Sequence, residues 1–171
     1  MKALDRLLSG RDERARIQGN LLRRYGTVVQ VSLNIPGLPK TLSGDRTLVS
    51  LASCLLLKEA DSPGSFAATS FFLDNGAGCS ETMGIENADP LPLKEAGILI
   101  ENKPWGAVLD IDVMTARGTI HRRDLYGTER RCLLCGDAAK TCARMNRHSY
   151  EELRKASEEM LLMGLIELGQ R

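Results

Sequence analysis

The sequence predicts an α+β fold: a mixed or antiparallel sheet with helices packed on it and a helical C-terminal region. Three observations carry this. Asp74-Asn75-Gly76-Ala77-Gly78 turns one strand-like run straight into another, a hairpin connection. Thr115-Ala116-Arg117-Gly118 does the same further along. Segments of helical period fall between the strands in the order α-β-α-β-β-α-β-β-α, which favours α+β over a doubly wound parallel sheet.

Taken in order, Ser9 with Asp12 three residues on reads as a helix start. Ile17, Leu21, Leu22 and Tyr25 give that helix an apolar stripe, with Arg11, Arg14 and Gln18 on the other face. It should end near Gly26. Thr27 to Leu33 is β-branched and alternating, hence a strand. Asn34 to Lys40 holds two prolines and a glycine, a stiff loop that cannot continue a sheet. Leu42 to Ala60 reads as an apolar helix closed by Asp61-Ser62-Pro63-Gly64, and Phe66 to Leu73 and Cys79 to Ile85 as the first hairpin. Pro90 and Pro92 permit a helix from Leu93 to about Lys103. Ala107 to Val113 alternates around Asp110 and Asp112, a strand with both carboxylates on one face. Thr119 to Arg122 is its short partner strand. The pattern turns helical after Arg131, and Glu151 to Leu168 is a long C-terminal helix. The whole chain, 1–171, reads as one unit, with 130–171 a Cys/His-containing helical subregion.

The 171 residues carry a net charge of only +1, which argues against general nucleic-acid binding. That sum conceals basic stretches at 1–24 and 117–155 around an acidic middle. Such a distribution suits a small polyanion if the basic ends meet, and otherwise a solvated surface. No apolar run can span a bilayer, and the N-terminus lacks the apolar stretch of a signal peptide, so a soluble cytoplasmic protein is expected. Five cysteines without an export signal argue against a disulfide framework.

Asp110 and Asp112 are the sharpest chemical signal. Two like charges a few ångströms apart repel, and a Mg²⁺ bridging phosphates would relieve them; a plain polar edge strand is the alternative. His121, Arg122 and Arg123 follow closely and would add a base and phosphate-binding forks, or form an exposed basic turn. Cys132, Cys135, Cys142 and His148 form a Cys₃His set that could hold Zn²⁺. Buried free thiols or a redox pair would use the same cysteines. Cys54 and Cys79 read as core residues. Trp105 could stack on a base or fill the core.

Several segments together resemble the apo-citrate lyase phosphoribosyl-dephospho-CoA transferases, the CitX family. They are Gly10 to Arg14 with Gln18, Ser32 to Gly37 with Lys40, Gly106 with Asp110 to Val113, and Arg130 to Cys135 followed by Cys142-Ala143-Arg144 and His148. The resemblance implies transfer from 2′-(5″-triphosphoribosyl)-3′-dephospho-CoA to a serine of the citrate lyase acyl carrier (gamma) subunit, with loss of pyrophosphate. It implies Mg²⁺ on Asp110 and Asp112, one of them assisting deprotonation of the serine, and phosphate or substrate contacts from Arg11, Arg14, Asn34, Lys40, Arg122 and Arg123. No nucleic acid or membrane partner is implied. The chain departs from the family at Ala107, where an arginine is common, at His121-Arg122, and at Leu38-Pro39. Two other readings stay open: a zinc-stabilised module that binds carrier or nucleotide without chemistry, and a related transferase for the malonate decarboxylase carrier.

Overall fold

In the computed structural model, which describes residues 2–60 and 66–170, the chain folds as an antiparallel five-stranded sheet with helices on it. The elements are α1 (Ala3–Leu22), β1 (Thr27–Leu33), α2 (Asp45–Glu59), β2 (Phe66–Asn75), β3 (Gly78–Glu86), α3 (Pro90–Glu101), β4 (Leu109–Thr115), β5 (Gly118–Ile120), α4 (Arg122–Tyr126), α5 (Ala139–Arg144) and α6 (Tyr150–Gly169). A single 3₁₀ turn, Gly106–Val108, leads into β4. Strand order is β2-β3-β1-β4-β5, every pairing antiparallel, so the α+β expectation holds.

The two faces of the sheet differ because strand residues alternate. Val29, Val31, Met83, Ile85, Ile111 and Val113 point into the main core, which α2, α3 and α6 close with Leu48, Leu56, Ile100 and Leu161. Trp105 belongs to that core, and its indole N–H donates to Glu167 on α6 at 2.7 Å. Packing, not base stacking, is therefore its role here. On the other face, α1 covers part of the sheet through Ile17, Leu21 and Tyr25 against Val28 and Met114. Across β3, β1 and β4 the rest of that face is polar, with Ser80, Thr82, Gln30, Ser32, Asp110 and Asp112.

Several boundaries differ from the expectation. The first helix starts at Ala3, not Ser9, with Asp5 accepting the Lys2 amide at 3.0 Å. Gly10 lies inside it because a Cβ there would stand 2.4 Å from the Asn75 amide oxygen and 2.7 Å from the Ala77 nitrogen. The glycine marks a close approach, not a helix end. The partner strand stops at Ile120. Asp124 accepts the His121 amide at 3.2 Å, so Arg122 and Arg123 open a helical turn instead of extending the strand. Residues 130–138 are not helical: Arg131 and Ala138 bridge as a small hairpin, and helix resumes only at Ala139. Cys79 is buried as expected, whereas Cys54 is exposed on α2. The proposed stop at Asp61 to Gly64 lies outside the described residues.

Candidate functional site

The polar face of β3, β1 and β4 forms two rows. Ser80, Ser32 and Asp110 are register partners in one, and Thr82, Gln30 and Asp112 in the next. The α1 helix contributes Gln18, whose amide donates to Gln30 Oε1 at 2.8 Å; the Thr82 hydroxyl donates to the same oxygen at 3.2 Å. Arg14, one turn earlier, donates from Nη2 to the carbonyls of Ala77, Gly78 and Cys79 at 2.9, 2.8 and 3.2 Å. Its Nε and the buried Ser80 hydroxyl have no hydrogen-bond partner among the described residues. Burial lowers the Arg14 pKa, Cys79 and Asp110 act against that, and Arg11 adds to it. The N-terminal helix thus brings its cations to the aspartate strand.

Asp110 and Asp112 do share one face. Asp112 is the more buried, and its carboxyl is pushed up to about 6, first by desolvation and then by Asp110, with Lys94 opposing. Asp110 is half exposed and accepts from Arg130 Nη1 at 3.1 Å.

The edge of β4 has an unusual finish. The strand β5 is only three residues long, so it pairs with Val113 to Thr115 and leaves Leu109 to Asp112 without a strand neighbour on the side away from β1. Side chains take its place. Glu101 accepts the Ile111 amide at 2.8 Å, Lys94 donates to the Ile111 carbonyl at 2.7 Å, and Arg130 donates to the Leu109 carbonyl. Glu101 also holds Arg122 at 2.8 Å and stands 3.6 Å from Arg130. Arg122 reaches Asn102 too, at 2.6 Å. One buried carboxylate therefore orients two arginines beside Asp110.

Those arginines open into a cavity of about 570 Å³ lined by Asn34, Asp110, His121, Arg122, Arg123 and Arg130. Asn34 also borders a second, mainly apolar cavity of about 760 Å³, with Ile35, Lys40, Leu133, His148 and Tyr150 around it. Lys40 donates to the Ile35 carbonyl; burial and the nearby Arg11 lower its pKa. Arg154 of α6 ties the prolyl loop down through the Pro39 and Thr41 carbonyls, both at 2.8 Å.

The structure so gathers two groups of the expected residues. Asn34, Asp110, His121, Arg122 and Arg123 share a cavity, and Arg11, Arg14 and Lys40 stand on the α1 side of the same sheet face. Glu101, Lys94 and Gln30 were not legible as site residues. Lys94 and Glu101 look like solvated helix charges, and Gln30 like one polar position in an apolar strand; only pairing exposes their work. The four ligand atoms of Cys132, Cys135, Cys142 and His148 lie within 4.8 Å of one another, a set that could hold a metal ion such as zinc. Cys79 is outside it, its thiol pushed up to about 12 by burial and by Asp45.

Residues 2–163 match the family model described as apo-citrate lyase phosphoribosyl-dephospho-CoA transferase. A Vibrio cholerae (strain M66-2) protein named as a probable member is 32% identical over 161 residues, covering 92% of this chain and 90% of that one. The Citrobacter koseri apo-citrate lyase phosphoribosyl-dephospho-CoA transferase is 33% identical over 162 residues, covering 93% and 88%. A probable transferase of Streptococcus pyogenes serotype M5 is 29% identical over 170 residues, covering 92% and 84%.

Proposed function

Since the chain belongs to the apo-citrate lyase phosphoribosyl-dephospho-CoA transferase family, we propose that it carries out that transfer, with the Asp110–Asp112 face as its centre. The donor is 2′-(5″-triphosphoribosyl)-3′-dephospho-CoA and the acceptor a serine of the citrate lyase acyl carrier subunit. The serine oxygen forms a bond to the phosphorus next to the ribose, the bond from that phosphorus to the outer two phosphates breaks, and pyrophosphate leaves. This makes the reaction nucleotidyl transfer in type.

The observation that carries the reading is that Asp110 and the oriented arginines line one cavity, with the more buried Asp112 two residues along the same strand face. Asp112, raised to about 6, is ionised at neutral pH yet basic enough to accept the serine proton. Arg122, Arg123 and Arg130 face the triphosphate, their planar forks matching phosphate oxygens. Arg11 and Arg14 of α1 and Lys40 of the prolyl loop extend the positive field, and Asn34 stands where the arginine-lined cavity meets the apolar one. His121 lines the cavity and assists in placing the leaving group. Ala107 lines a space that Arg122, Arg130 and Arg131 also line, so guanidinium groups are at hand where the family's arginine is missing.

The aspartate pair fits a hard divalent cation, because its mutual repulsion is what holds Asp112 up beyond burial alone. Mg²⁺ held there would neutralise charge on the departing pyrophosphate. The thiolate-rich cluster is unsuited to Mg²⁺ and contributes no step to transfer.

The test mixes the protein, apo carrier, donor and Mg²⁺ and weighs the carrier by mass spectrometry. The carrier should gain the prosthetic group with the native chain and with Cys54→Ser, and not with Asp110→Asn or Asp112→Asn. Full transfer by both aspartate variants would refute the assignment.

A further inference from the structure

We infer that Cys132, Cys135, Cys142 and His148 bind one structural Zn²⁺, and that this ion locks the 130–148 segment onto the aspartate strand. The donor atoms are already close to tetrahedral spacing. Cys135 Sγ stands 3.6 Å from Cys142 Sγ and 3.4 Å from His148 Nε2. Zinc–sulfur bonds of about 2.3 Å at tetrahedral angles place sulfurs about 3.8 Å apart, and zinc–nitrogen bonds bring the imidazole slightly nearer. Three sulfurs and one imidazole are soft donors, which select zinc over magnesium or calcium. All four positions are filled by protein, which describes a closed, structural centre.

The backbone supports the same reading. Cys132-Leu133-Leu134-Cys135-Gly136 forms the tip of the small hairpin, where the Cys132 amide donates to the Asp137 carbonyl at 2.8 Å and the Ala139 amide to Arg130 at 2.8 Å.

A third observation concerns what else could hold this segment. From His121 to Ser149, Cys142 alone is buried among the described residues. A stretch of that length with one buried side chain cannot fold by hydrophobic burial, and a metal is a recognised substitute for a core. The segment matters because it carries Arg130 to Asp110 and Leu109, and because Cys132 and Leu133 wall both the apolar cavity and the arginine-lined space behind it. The metal would act by position, at a distance from the transferred group. The inference does not depend on the transferase reading.

The experiment uses the full chain purified without chelator. Elemental analysis should find about one zinc per chain. It should be lost in Cys135→Ser and His148→Ala and kept in Cys54→Ser. Cobalt added to chelated protein should give the visible absorption of tetrahedral thiolate coordination. Hydrogen exchange before and after chelation should show amides of 130–148 exchanging at least about tenfold faster without metal, with β1, β3 and β4 unchanged. Absence of zinc together with no cobalt–thiolate absorption would overturn the site. Zinc bound but exchange unaffected by its removal would overturn the locking role.

Discussion

At the scale of single residues, Asp112 is where sequence and environment diverge most. Its spacing from Asp110 is plain in the sequence, but its protonation is set by burial and by Asp110, against Lys94 of α3. With a folded pKa of about 6 against an ordinary 3.8, the native state holds this proton more tightly than the unfolded chain. The stability it contributes is fully present below about pH 4 and is lost as pH rises through 6. The shift corresponds to roughly 2–3 kcal/mol once the carboxylate is ionised. Asp112→Asn should therefore melt above the native protein at pH 8, and the gap should vanish near pH 4. Mg²⁺ should narrow the gap at pH 8, because it stabilises the native carboxylates alone. Thermal melts across pH check both. Arg122 and Arg123 separate in a similar way. Arg122 is tied to Glu101 and Asn102, while Arg123 is exposed in the cavity and makes no ion pair among the described residues. Arg123→Ala should raise KM for the donor several-fold with unchanged Tm, an effect that salt should mimic. Arg122→Ala should lower Tm as well, since it strands a buried carboxylate.

At the scale of elements, β4 depends on α3 as well as on β1. Glu101 accepts a strand amide and holds two arginines, so its removal frees a buried N–H and two cations together. Glu101→Ala should cost about 3 kcal/mol in urea unfolding. It should also raise KM for the donor more than it lowers kcat, because the arginines lose their orientation and not their charge. Most elements were legible: β1 has the boundaries its alternation predicts, and the C-terminal helix differs by one residue at each end. The misses share a cause. Arg122 and the Cys132–Cys135 turn were each decided by local capping or pairing, which periodicity does not register. Arg122 yields to Asp124, and the 130–138 segment to its own cross-bridge.

At the scale of the whole molecule, α6 returns to the core that the N-terminal half begins. Leu161 and Leu168 enter that core, and Gly164 passes so close to Leu48 and Trp105 that a Cβ would stand 2.8 and 3.0 Å from them. We therefore expect the chain to unfold as one unit. Emission of its one tryptophan and far-UV circular dichroism should trace the same urea transition; two separated transitions would divide the chain instead. The site itself was legible as a roster of cations and carboxylates but not as a place. Charge counting locates basic ends and an acidic middle, and only the sheet explains how α1, β4 and α4 meet on one side of it.

The short β5 has a final consequence. Sheets with a bare rim recruit other chains, and long edge strands are a route to aggregates. Here the rim beyond Ile120 is sealed by an ammonium, a carboxylate and a guanidinium bonded to the very groups that a foreign strand would seek. A stray peptide would have to break a half-buried ionic network to add there. The network that orients the arginines of the cavity thus also closes this stretch of rim to strand addition.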